Sequence, residues 1–124
     1  MRKMIIGLAA IAVMVPAAAQ AMSVAEWLAK ADALKDKGIF AVGSPDIALL
    51  GDEVKAAGAA YRAGLAKQVA AGKKPSSCPP PVGQVKISSD DIIKEFKAIP
   101  AARQKQSVAQ AWATMMTRRY PCKG

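Results

Sequence analysis

Two cysteines, Cys78 in "SSCPPP" and Cys122 in "RRYPCKG", are the most reactive side chains in this sequence. Neither belongs to a Cys-x-x-Cys motif, so dithiol redox exchange has little to build on. Two sulfurs fall short of an ordinary zinc site, and the chain has no histidine to complete one. The same lack removes the usual base that makes a cysteine or serine nucleophilic. What remains is a disulfide. One intramolecular pairing exists, Cys78 with Cys122; an intermolecular bridge is the alternative. By the chain-entropy argument, a closed loop of this length is worth about 4 kcal/mol. The bridge also brings its neighbours together, because bonded cysteines hold their Cα atoms about 5 to 6 Å apart. Lys73 and Lys74 precede one cysteine, and Arg118, Arg119 and Lys123 flank the other. These cations are expected at one end of the molecule, either as a basic surface that recognises a partner or as a solvated end with none.

Other candidates are weaker. Asp90 and Asp91 are a carboxylate pair, but adjacent residues at a helix start do not converge on one substrate, and the helix dipole accounts for them. Asp52 and Glu53 read as a solvated helix face. Ser76 and Ser77 have no base and read as loop residues. Trp112, Met115 and Met116 suit a ligand groove in composition, yet their helical spacing favours core. Trp27 is expected to anchor the same core. No Gly-rich phosphate cradle and no aromatic platform for bases is present. The expectation is therefore a non-enzymatic protein with no catalytic residue, no metal and no cofactor, and without a nucleic-acid partner.

The elements that would position these residues begin after a leader. "MRKMIIGLAAIAVMVPAAAQA" has basic residues Arg2 and Lys3, an apolar run from Met4 to Val15, then Pro16 and the small-x-small triplet Ala19-Gln20-Ala21. This is the layout of a secretory signal peptide over residues 1–21. The apolar run is shorter than the roughly 20 residues of a membrane span, the alternative reading. Cleavage is expected between Ala21 and Met22, and delivery to the periplasm, where a disulfide persists. The remaining chain, 22–124, is expected to be one domain. Without Arg2 and Lys3 it carries sixteen Lys and Arg against nine Asp and Glu, a net charge of +7. In an exported protein such charge points to an acidic protein, anionic lipid or cell-wall carboxylates.

The pattern predicts four helices and no strand. "SVAEWLAKADALKDKG" opens with a capping box, Ser23 and Glu26, places Val24, Trp27, Leu28, Ala31 and Leu34 on one face, and stops at Gly38. "IFAVG" follows, an apolar connector whose Ile39, Phe40 and Val42 are expected to tuck into the core. Ser44, Pro45 and Asp46 start a second helix running to about Ala71, with Ile47, Leu50, Val54, Ala57 and Tyr61 as its stripe. Its Gly51, Gly58 and Gly64 allow either close helix approach or a bend. Pro79, Pro80 and Pro81 enforce an extended segment. A third helix starts at Ser88 with Asp91, buries Ile92, Ile93 and Phe96, and ends by Pro100. "AARQKQ" is a polar, partly helical link. Ser107 and Gln110 box the last helix, which buries Val108, Ala111, Trp112, Met115 and Met116. The expected fold class is all-α: a small bundle of about four helices stapled by one disulfide.

The order "AAYRAGLAKQ", "SSCPPP", "KISSDDIIKEFKAIP", "SVAQAWATMMTRRYPC" resembles the Rap/Tai family of type VI secretion immunity proteins over roughly Ala59 to Cys122. Tyr61 and Gly64 match its small/aromatic helix motif. Cys78, Pro79, Tyr120, Pro121 and Cys122 match its two cysteine segments. The resemblance implies a small exported helical protein that binds an injected peptidoglycan amidase in the periplasm and blocks its cleft, in some members as a homodimer. The alternative is a small basic periplasmic structural or envelope-associated protein with no toxin partner.

Overall fold

A computed structural model of the chain describes residues 21–123. The leader expected over residues 1–21 therefore lies, except for Ala21, outside the described residues. Four α-helices are present: α1 (Val24–Lys37), α2 (Pro45–Ala70), α3 (Ser89–Lys97) and α4 (Val108–Arg119). Short 3₁₀ turns follow α1 (Gly38–Ala41) and α3 (Ala101–Arg103). Among the described residues there is no strand beyond a single antiparallel bridge between Ser23 and Ser107.

Each helix starts where its capping residue stands. Ser44 Oγ accepts the Asp46 N–H at 3.3 Å, and Pro45 takes the first helical position, where a missing N–H costs nothing. Ser88 with Asp91 and Ser107 with Gln110 each form the full reciprocal box. At α1 only half of the expected box forms: Ser23 accepts the Glu26 N–H, and the backbone around Ser23 is paired with the segment before α4 instead. Gly38 at φ 54° and Gly72 at φ 75° end α1 and α2 in a conformation that other residues resist. The third helix stops at Lys97, ahead of Pro100, and the link after Pro100 is the short 3₁₀ turn.

α2 and α4 form the broadest helix pair, with α1 laid across both and α3 against α1. Val24, Trp27, Leu28 and Ala31 from α1 meet Leu50, Ala57 and Tyr61 from α2, Ile92 and Phe96 from α3, and all five expected positions of α4. The centre is aromatic: the Trp27 and Phe96 rings stand edge to face with centroids 5.2 Å apart, an arrangement the ring quadrupoles favour. The Trp27 indole N–H donates to the Leu50 carbonyl at 3.3 Å.

Two expectations fail. Ile39, Phe40 and Val42 are not in the core; they are 81, 87 and 80 % exposed, and of this connector only Ala41 is buried. A four-residue 3₁₀ turn turns the chain back so tightly that one small side chain faces inward and the others point away. Ile47 is half exposed because it forms a wall of an open groove rather than a buried contact. The helical glycines divide. A Cβ at Gly58 would meet the Trp112 indole nitrogen at 3.8 Å, ordinary contact, whereas Gly51 and Gly64 face nothing within 4 Å. Close approach is thus not the reason for glycine at the latter two.

Candidate functional site

Two surfaces are candidates, and they lie at opposite ends of α2. At 26 residues that helix is about 39 Å long.

The C-terminal end carries the disulfide. Cys78 and Cys122 are bonded with Cα atoms 4.9 Å apart and 44 residues between them in sequence. The bond is surface-exposed; what is buried is its neighbour. Ser77, read from the sequence as a plain loop residue, is 1 % exposed and is the one buried polar side chain among the described residues. Its hydroxyl donates to the Tyr120 carbonyl at 2.9 Å, and its oxygen lies 2.6 Å from the Tyr61 hydroxyl, which then donates to it. The Tyr120 carbonyl also accepts the Cys78 N–H at 2.8 Å. A single carbonyl at the end of α4 thus gathers the loop twice, and Tyr61 holds that loop to α2. Nothing local in the sequence marks Ser77, since its partners come from 16 and 43 residues away. Arg62 ties the next turn by donating to the Pro80 carbonyl at 2.7 Å.

The residues of the expected basic cluster differ in their ion pairing. Lys73, Lys74 and Lys123 are near the bridge, and among the described residues none has a carboxylate within ion-pair distance. The Pro75 carbonyl, one residue beyond Lys74, lies 3.4 Å from Cys122 Sγ, which places that lysine beside the C-terminal segment. Arg118 and Arg119 behave differently, because both pair with Glu95 of α3. One carboxylate faces two guanidinium groups, so part of their charge is offset by α3 while the Arg118 side chain stays largely exposed. Arg119 also joins Lys94 in favouring the charged form of Asp91. The larger cause there is the Ser88 capping box, whose backbone N–H and hydroxyl hold the Asp91 carboxyl below the usual carboxylate range. Asp90 and Asp91 thus complete a helix start, as expected.

The N-terminal end carries apolar side chains. Ile39, Phe40 and Val42 project from the turn between α1 and α2, bracketed by Gly38 and Gly43, with Lys35 and Lys37 just before. Beside this tip an apolar groove of about 630 Å³ opens between α1, α2 and the start of α3, with Leu34, Ile47, Val54 and Ile93 among its walls and Lys35 and Lys55 at its sides.

Glu53, read as part of a solvated face, is half-buried and accepts the Met22 N–H at 3.0 Å, while Asp52 is exposed as expected. The Trp112 indole N–H is buried and meets no acceptor among the described groups, unlike that of Trp27. Among the described residues no three His, Cys, Asp or Glu side chains cluster as metal ligands, and no helix is long and apolar enough to cross a membrane. No family model, no curated protein and no solved structure matches this chain.

Proposed function

We propose that this chain is an exported, non-enzymatic binding protein of the immunity type, and that it grips its partner with Ile39, Phe40 and Val42. The exposure of this apolar tip is the observation that carries the reading. A free-standing apolar surface of three large residues marks a contact site, and an aromatic residue such as Phe40 is the kind of anchor on which binding energy concentrates. The sequence resemblance supplies the partner class, a peptidoglycan amidase delivered by type VI secretion, and the convergence of Tyr61, Cys78 and Tyr120 around Ser77 gives the resembling residues a common structural task. The tip is a short turn joining α1 to α2, so its three side chains are presented together.

A second reading rests on Lys73, Lys74 and Lys123, which have no carboxylate partner among the described residues. In that reading the disulfide end meets an acidic protein or the anionic envelope, and Glu95 offsets one of the two charges of Arg118 and Arg119.

The two are separated by inhibition of a purified amidase of this class acting on isolated peptidoglycan. The oxidised protein should stop cleavage, and Phe40→Asp should weaken inhibition by at least about 30-fold, the loss expected of a hot-spot residue. The triple variant Lys73→Glu/Lys74→Glu/Lys123→Glu should slow association and leave dissociation unchanged, as distant charge does. Full inhibition by Phe40→Asp would overturn the tip reading. Salt-sensitive sedimentation with peptidoglycan sacculi, abolished by the triple variant, would establish the second.

A further inference from the structure

The start of the described chain is held by more than its own helix. Met22 donates its backbone N–H to Glu53 Oε1 at 3.0 Å in half-buried surroundings. Its carbonyl accepts the Val108 N–H at 2.9 Å, and the next turn is paired too: Val24 N–H to the Gln106 carbonyl and Ala25 N–H to the Gln104 carbonyl, each at 3.0 Å. The Met22 side chain packs on the core. The nitrogen of Met22 is thus fixed in space by α2 on one side and by the start of α4 on the other.

Glu53 sits in the N-terminal third of α2 and forms no ion pair with any described lysine or arginine. A carboxylate brought half into the protein is best matched by a cation, and a single neutral amide is a weak partner for it. The residues just before Met22 are Ala19-Gln20-Ala21, the small-x-small pattern that leader peptidases cut after. Hydrolysis of the Ala21–Met22 bond adds one water across it. The carboxylate leaves on Ala21, and the Met22 nitrogen becomes a primary amine. With an ordinary pKa of about 7.7–8.0, that amine is mostly an ammonium at neutral pH.

We propose that Glu53 is the receptor for the α-ammonium that cleavage at this bond creates, so that processing replaces a neutral amide donor by a cation and makes the contact an ion pair joining the mature N-terminus to α2 and, through Val108, to α4. Glu53 recognises the position of the cut as well as the charge. An ammonium one residue earlier is displaced by about 3.8 Å along the chain, and the amide at Met22 stays neutral. The inference rests on the export reading and not on the identity of any partner.

Three measurements on the exported, oxidised protein test it. Intact mass should correspond to a chain beginning at Met22; any other first residue overturns the proposal. Thermal unfolding should then be compared for the Met22-initiated chain and for one with Gly-Ser placed ahead of Met22, each with Glu53 and with Glu53→Gln. The extension should lower Tm by roughly 3–6 °C with Glu53 and by under about 1 °C with Gln, the scale of one partly buried ion pair in a domain of this size. Equal shifts in both backgrounds overturn it. Finally, the α-amine should be acylated several-fold more slowly at neutral pH in the Glu53 protein than in Glu53→Gln, because the carboxylate keeps the amine protonated; equal rates overturn it. None of these readouts involves a partner, so their failure leaves the proposed binding activity standing.

Discussion

The two ends of α2 are built on opposite principles. At its C-terminal end the chain is stitched by a disulfide, by the Tyr61–Ser77–Tyr120 relay and by Arg62 on the Pro80 carbonyl. At its N-terminal end a short turn and the residue after it hold three large apolar side chains out in solvent. The first end spends its chemistry on holding three segments together. The second leaves its apolar surface unburied, which folding alone does not reward. The contrast teaches where to look for binding: reactive-looking residues can be purely structural, while a stretch of ordinary hydrophobic residues becomes conspicuous only when it stays uncovered.

The sharpest way to break this contrast is to cut the bridge. Cys78→Ser/Cys122→Ser should lose about 4 kcal/mol in denaturant unfolding, whereas Phe40→Ser, at an exposed site, should stay within about 0.5 kcal/mol of the parent. Comparable losses from both would show that the tip is structural. Next comes the relay. Ser77→Ala leaves the Tyr61 hydroxyl and the Tyr120 carbonyl each short of a buried partner, and should cost about 2 kcal/mol; the same assay checks it, with Ser76→Ala as the exposed control. Smaller again are the helical glycines, one from each half of α2. Gly51→Ala and Gly64→Ala meet nothing within 4 Å, so each should raise stability by about 0.5–1 kcal/mol. A gain at one and a loss at the other would mean that the two halves of the helix are not equivalent.

The smallest effect is electrostatic and concerns α3, which joins the disulfide end through Glu95. Asp91 has a carboxyl held below its ordinary range by the Ser88 N–H. A depressed folded-state value stabilises above the unfolded value, about 3.9, and that contribution disappears as pH falls through the folded value. Stability of the parent should therefore decline more steeply than that of Asp91→Asn when pH is lowered below about 4. Parallel curves would remove Asp91 from the acid response.

Much of this architecture is local and was readable. Ser44, Ser88 and Ser107 announce helix starts because a cap satisfies backbone donors within three residues of itself. The five buried positions of α4 follow from helical spacing alone. The pairing of Cys78 with Cys122 was readable by counting, since two cysteines admit one intramolecular bond. Glu53, Ser77 and the arginines were not readable. Each is defined by a partner on another element: Met22 lies 31 residues from Glu53, Tyr120 lies 43 from Ser77, and Glu95 lies 23 and 24 from Arg118 and Arg119. The connector at Ile39, Phe40 and Val42 was misread because apolar composition records the gain from burial, not whether a neighbour is present to provide it.

By itself, then, the sequence determined the helices, the serines that start them, most of their buried positions and the single possible staple. These follow from backbone hydrogen bonding and side-chain periodicity, whose reach is a few residues. Only the tertiary structure decided that Glu95 takes up the arginines, that Ser77 is buried, that Glu53 waits at the nitrogen of Met22 and that Phe40 stands in solvent. Those outcomes depend on which surfaces the packed helices bring within a few ångströms of one another, and such distances are set by the whole chain at once.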